Sequence, residues 1–455
     1  MGRPAPRRLE DSRPRPAPHR ETIGRLLRAG LEAADPDRLI AQAVSRRGST
    51  LTIGPRRYDL RRIGRLLVCG AGKASGPMAA AIERILGDRL DGGLVIVKQG
   101  HRVETTTIDL VEAGHPIPDR AGLAATAKLL ALMKPLAEED LVILLLSGGG
   151  SSLLVATAEG LSLADKQRTT DRLLRSGAPI GEINTVRKHL SAVKGGRLAA
   201  ATQARIATLI LSDVLGPRWQ ALSSIASGPT VPDPTTYRDA VAVLRRRHIW
   251  RDVPQAVRRH LTKGCRGEVA DTPKPGSSLF RHADNFIVGD NRATVAAVAR
   301  EAKARGFVPR ILTAALTGEA KEAGTRFARL ARRLRADKPR RPVCVIAGGE
   351  LTVTVAGRGK GGRCQEFALA AAIGIEGLAG VTVAGFGTDG TDGPTDAAGA
   401  VVDGSTVARG RILGLHTSTF LARNDAYRYF DRVGGLLRAG PTGTNVNDLY
   451  LMIVD

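Results

Sequence analysis

A chain of 455 residues with a net charge of +24 and only 3% aromatic residues is long enough for two or three domains with full cores. Its four cysteines, Cys69, Cys265, Cys344 and Cys364, form no C-x-x-C pair, and Cys69 and Cys344 sit inside apolar runs, which argues against a disulfide framework and fits a reducing cytoplasm. No apolar run approaches the roughly 20 residues of a membrane span. The arginines are scattered through helical stretches, and stacking aromatics for single-stranded nucleic acid are scarce, so the charge reads as a solvated surface whose field draws in anionic substrates.

Residues 1–20, rich in Pro and Arg and without an apolar signal core, read as a disordered leader. Apolar strand-like runs then alternate with helical patterns, the signature of α/β layers. Arg65–Cys69 leads into Gly70-Ala-Gly-Lys73 and a helix from Pro77 to Leu86. Leu94–Val97 is a second strand. Asp140–Leu146, apolar throughout and therefore buried on both faces, runs into Ser147-Gly-Gly-Gly-Ser-Ser152, and Ala207–Leu211 ends at Ser212-Asp213. The stretch from Trp250 to Asp284 carries prolines and charge without a period, which places a domain boundary there: one domain over 21–275, a second over 276–455. The second opens with Phe286–Asp290 and a helix from Ala293 to Arg305. It continues through Val343–Ala347, the alternating run Leu351–Val355, the strand from Val381 and the closing strand Asp448–Val454. The fold class is α/β, in two domains with mostly parallel sheets.

Several loops point to chemistry. Gly70, Gly72 and Lys73 lie at a strand–helix junction, where backbone amides attract phosphate. The loop is not a Walker A motif, and the next strand ends at Lys98 where a dinucleotide site would want a ribose-binding acid. Ser147, Gly148, Gly149, Gly150 and Ser151 follow a buried strand, and three successive glycines are costly in backbone entropy unless close approach matters. Asn184 to Arg197 reads as one helix with Arg187, Ser191 and Lys194 near one face, a candidate anion site, and His189 reads as structural. Gly357 to Glu366 is a Gly-rich turn into a helix, with Arg363 at its start, where a guanidinium can clamp a carboxylate or phosphate. Gly385 to Gly399 packs three aspartates and repeated glycines into one strand-end loop, so Asp389 and Asp392 are candidates for Mg²⁺. Strand-end acids (Asp213, Glu350, Asp389) with Lys and Arg from different loops suit phosphoryl transfer, whose needs are positioning and charge neutralisation.

Gly70–Lys73, Glu112–Asp119, Leu146–Ser152, Asn184–Arg197, Leu211–Gly216, Ile225–Thr230, Gly348–Glu350, Gly359–Glu366, Gly387–Gly399 and Gly443–Asp448, in this order, resemble the class II glycerate kinase family (glycerate 2-kinase), whose C-terminal portion is the MOFRL domain. The resemblance covers all but the leader. It implies a Rossmann-like first domain, an active site in the cleft between the domains, and ATP-dependent phosphorylation of D-glycerate at the 2-hydroxyl to 2-phosphoglycerate, with Mg²⁺. Small molecules, rather than nucleic acid or membrane, are the implied partners, and a homodimer is an assembly it allows. Lys73 and Arg363 match positions that the family treats as active-site residues. Beside them, our own reading of the residues takes Asp213 and Asp389 as candidate catalytic acids, with Glu350 an alternative base, and Arg187, Lys194, Glu350, Asn447 and the two glycine loops as substrate or nucleotide contacts. Cys364 stands where Asn is expected after the arginine. Some family members are labelled NAD(P)H-dependent hydroxypyruvate reductases, an alternative the missing dinucleotide fingerprint disfavours.

Overall fold

The computed structural model describes residues 19–337 and 339–455. The leader expected over 1–20 lies outside the described residues up to position 18, and Arg20 already opens a helix, Arg20–Ala33. The chain folds as two compact units, residues 36–288 and residues 289–455 joined by residues 19–35. This differs at two places from the division expected at 275/276, for reasons visible in each unit.

The 36–288 unit begins with a small antiparallel sheet of β1 (Val44–Arg47), β2 (Thr50–Ile53) and β3 (Arg56–Asp59). Its main sheet contains β4 (Leu66–Ala71), β5 (Gly92–Lys98), β6 (Asp109–Ala113), β7 (Leu141–Ser147), β8 (Arg205–Leu211) and β9 (Ala283–Gly289), in the order β6-β5-β4-β7-β8-β9. β6 through β8 are parallel. Every residue of β4 and β7 is buried, as their unbroken apolarity requires of strands covered on both faces. Counted along the chain this is the doubly wound order 3-2-1-4-5-6, whose direction reverses between β4 and β7. β9, read from sequence as the opening of the second domain, instead forms the outer strand beside β8, so the boundary falls after it.

The other unit carries a mixed sheet. β10 (Val308–Leu316) runs parallel to β11 (Val343–Gly349). β15 (Asp448–Val454) lies antiparallel between β11 and β12 (Val381–Gly387), and β13 (Gly399–Asp403) and β14 (Leu436–Leu437) follow antiparallel at the far side. The α/β class stands, but the mostly parallel pairing expected of both sheets holds only in the 36–288 unit. One face is covered by Ala320–Ala336 and Arg363–Gly374, with Phe327, Phe367 and Tyr450 packed edge to face or tilted. On the other, Ile23, Leu26 and Leu27 pack with Val295, Val298, Leu449 and Leu451. The i, i+3, i+4 spacing of those three side chains makes the apolar stripe that carries the Arg20–Ala33 helix into this unit. At Gly30, a Cβ would stand 2.8 Å from Leu449 Cδ1, so glycine permits the close approach. Leu351–Val355, expected as a strand, makes one isolated bridge at Thr352; the Thr354 amide and hydroxyl bond the Glu319 carboxylate instead of a neighbouring strand. Among the described residues, no helix is long and apolar enough to cross a membrane, and all four cysteines are free thiols.

Candidate active site

In the 36–288 unit the two glycine loops meet at the C-terminal ends of β4 and β7, at the switch point where doubly wound sheets bind ligands. The Lys73 amide donates to the Gly148 carbonyl at 2.8 Å, and the Ala74 amide donates to Ser147 Oγ at 3.0 Å. Ser75 Oγ lies 3.0 Å from the same oxygen. The buried Ser147 hydroxyl is thus spent tying the loops together at the start of the Ser75–Leu86 helix. Gly72 needs its missing side chain, since a Cβ would fall 2.1 Å from Ser147 Oγ. At Gly149, with φ 86°, a Cβ would lie 3.0 Å from the His115 ring and 3.3 Å from Lys73 Cγ. The glycine keeps open a space walled by Lys73 and His115. His115 sits just past β6, and burial, then Lys73, Lys98 and His101, push it down to about 4, so the imidazole is neutral at physiological pH. Sequence reading did not assign His115 a role, although it lies within the Glu112–Asp119 block. Lys98 is the last residue of β5, which confirms the missing acid at that strand end.

The segment read as one helix from Asn184 to Arg197 is shorter. The helix Ile180–His189 stops before Leu190, and Gly195 and Gly196 turn the chain at φ 59° and 82°. Arg187, Ser191 and Lys194 therefore do not share a helical face. Lys188 pairs with Asp233 at 3.2 Å, both buried. Lys194 is fully buried, its Nζ donating to the Leu154 and Ala226 carbonyls at 3.1 and 3.3 Å. Ser151 Oγ lies 3.0 Å from Ser227 Oγ, which donates to Asn184 Oδ1. His189 bridges the Thr185 carbonyl and Asp271, a structural role as expected. Asp213 follows β8 in a half-buried loop.

In the other unit the site residues converge because β15 is antiparallel. Its first residue, Asp448, is in register with Gly349 at the end of β11 and Gly387 at the end of β12. Arg363, the first residue of its helix, donates through Nε and Nη2 to Asp448 at 2.6 and 2.9 Å, and Nη1 lies 2.9 Å from Glu350 Oε1. Burial works against the guanidinium charge, but the Asp448 hydrogen bonds and charge, with help from Glu350, raise its pKa above the ordinary arginine value. Burial raises Asp448 as well, against the pull of Arg363, and Tyr450 donates a further bond to it at 2.8 Å. Asn447 Nδ2 donates to the second Glu350 oxygen at 3.1 Å.

Asp392, expected as a Mg²⁺ candidate, has another task. Its two oxygens accept from the Cys364 and Gln365 amides at 3.1 and 2.8 Å, capping the Arg363–Gly374 helix, and Gly362 is needed because a Cβ there would meet Asp392 at 2.3 Å. Burial pushes Asp392 up to about 7. Asp389 lies further out on the loop, where Oδ1 accepts from the Thr391 amide and hydroxyl. Gly390 (φ 86°) brings this loop against Gly440, and Thr388 bonds the Asn447 carbonyl through its amide. The Cys364 side chain is buried in the core, so the departure from Asn leaves the amide bond to Asp392 in place. Among the described residues, no group of three or more His, Cys, Asp or Glu could hold a metal ion. Mg²⁺ needs no such group, since it takes one or two carboxylates plus substrate phosphates, and Asp389 fits that demand.

A doubly wound sheet with two glycine loops and a lysine at its switch point, accompanied by an arginine–carboxylate cluster at converging strand ends, defines an α/β enzyme that handles small anions. A model of a domain of unknown function (DUF4147) matches residues 22–262, and the MOFRL family matches 343–448. A glycerate 2-kinase of Pyrococcus horikoshii is 44% identical over 440 residues, 96% of this chain and 97% of that protein. The crystal structure of a Thermotoga maritima glycerate kinase superposes with a TM-score of 0.83 at 40% identity, covering 95% of this chain and 98% of that one. An Agrobacterium vitis relative, 40% identical over 96% of this chain and 94% of its own length, carries the name hydroxypyruvate reductase only provisionally. The chain belongs to the glycerate kinase family that joins these two domains.

Proposed function

We propose that the protein transfers the γ-phosphoryl group of ATP to the 2-hydroxyl of D-glycerate, giving 2-phosphoglycerate and ADP, in the cytoplasm. The observation that supports this most is the pair of glycine loops knit together beside Lys73 at the switch point, in a chain similar along nearly its full length to glycerate kinases. Lys73 and the loop amides neutralise charge developing on the transferring group. Arg363, oriented by Asp448 and Glu350, keeps guanidinium N–H groups for the glycerate carboxylate. One of the acids Asp213, Glu350 and Asp389 takes the hydroxyl proton. Asp389 would hold Mg²⁺, which supplies charge neutralisation to the nucleotide phosphates.

The deciding experiment couples ADP release to D-glycerate addition and resolves 2- from 3-phosphoglycerate. ADP formed with 2-phosphoglycerate is expected; NADH consumption on hydroxypyruvate without ATP would instead make the protein a reductase. Size-exclusion chromatography with light scattering tests the homodimer that the family resemblance allows.

A further inference from the structure

We propose that Lys166, Arg187 and Lys194 form a ready-made pocket for phosphate groups, taking the polyphosphate of the nucleotide or the phosphate of the product. The choice of these two ligands rests on the kinase reading; the pocket itself does not. Lys166, on the Leu163–Arg175 helix, was not marked by any sequence motif. It is buried, and its Nζ donates to the Ala156 carbonyl at 3.1 Å, two residues from the Leu154 carbonyl that accepts from Lys194. Two ammonium groups thus attach to one short segment, and Arg187 is near enough for its charge to act on both.

Among the described residues, no carboxylate compensates them. Asp165 accepts from Ser162 and Arg168, Asp233 holds Lys188, Glu182 holds Arg246 and Arg247, and Asp271 holds His189 and Lys274. The Arg187 side chain has neither a hydrogen bond nor an ion pair among the described residues. Lys188 shows that this fold can pair a buried lysine with an acid, yet Lys166, Arg187 and Lys194 go without. A buried charge lacking a counterion costs several kcal/mol, and such arrangements gather at functional sites. Three cations balance a group with two or more negative charges, which a single carboxylate is not. The backbone is strained here as well: Ala226, whose carbonyl accepts from Lys194, and Ser227 have φ of 48° and 63°, where non-glycine residues rarely sit. Burial, with the neighbouring cations, pushes Lys166 down to about 7 and Lys194 well below its ordinary value. An arriving phosphate therefore recharges them and draws protons from solution.

Calorimetric titration of the full chain at pH 8 with inorganic tripolyphosphate, ADP, 2-phosphoglycerate and D-glycerate, in two buffers of different ionisation enthalpy, tests this. Wild type is expected to take up protons on binding a phosphate-bearing ligand. Arg187→Gln and Lys166→Met are expected to weaken that ligand at least about tenfold, the loss of one charge-assisted bond, and to leave D-glycerate within about twofold. Loss confined to ADP and tripolyphosphate identifies the nucleotide as the source; loss confined to 2-phosphoglycerate identifies the product. Lys166→Met should also raise the melting temperature of the free protein, because it removes the cost of giving up the lysine's proton on burial. Unchanged phosphate affinity in Arg187→Gln, or a loss confined to D-glycerate, overturns the proposal, as does a lower melting temperature with unchanged affinity in Lys166→Met. Arg187 is only partly buried, so its variant decides the matter should Lys166→Met fail to fold. Tripolyphosphate binding is read without turnover, so failure here is distinct from failure of the kinase assay.

Discussion

Arg363 and Arg187 are two half-buried arginines treated in opposite ways. Arg363 lies between Asp448 and Glu350 and makes three short contacts; Arg187 faces two buried lysines and no acid. The first arrangement is complete within the protein, which fixes one guanidinium geometry before any ligand arrives. The second is incomplete without an anion, so ligand binding there relieves an electrostatic cost already present in the fold.

A series of substitutions breaks or sharpens that contrast. The largest effect belongs to Arg363→Ala, which should lower kcat/KM for glycerate phosphorylation by about 10³-fold and, by stranding buried Asp448, destabilise the protein by about 3–5 kcal/mol. Adding Asp448→Asn should return much of the stability and none of the activity in denaturant titrations and ADP-release assays. Asp233→Ala comes next: it turns Lys188 into another uncompensated buried cation, at a cost of about 3 kcal/mol, whereas Lys166→Met stabilises. Equal losses from the two would erase the distinction between paired and unpaired lysines. Third, Asp392 titrates near 7 when folded against an ordinary 3.8. The folded protein therefore holds a proton between those values that the unfolded chain gives up, and this contribution to stability, complete below about pH 4, is lost as pH rises through 7. Melting temperatures from pH 5 to 8 should fall less steeply in Asp392→Asn than in wild type. The smallest effect is that of Gly149→Ala, which strains a left-handed residue by about 1 kcal/mol and narrows the space between His115 and Lys73. It should raise KM with only a small shift in melting temperature.

The strands were legible because long apolar runs bounded by Gly and Asp leave few alternatives, and Lys73, the triple glycine and Arg363 were legible because each sits where such a run ends. What escaped depended on distant partners. The central place of β15 follows from pairing with two strands far back in the chain, and the extended run Leu351–Val355 found a Glu319 side chain instead of a strand. Lys166 looked like any lysine of a polar helix, and its burial is set by Ala156 and Lys194 from other segments. Asp392 read as a metal candidate since nothing local shows that Cys364 and Gln365 would claim both its oxygens. That no helix runs on to Arg197 did carry a signal, Gly195-Gly196, which a basic run had obscured.

The Arg20–Ala33 helix and β15 belong to one unit although the whole 36–288 unit lies between them in sequence. As the ribosome delivers the chain, residues 36–288 can complete their own sheet while the early helix still has an exposed apolar stripe. Its partners Leu449 and Leu451 are made only after the whole 36–288 unit, and they sit on the strand that holds the sheet's two halves together. Folding of that unit therefore waits for β15. A nascent chain stalled anywhere before Asp448 should present one finished unit and one unfinished, protease-sensitive unit.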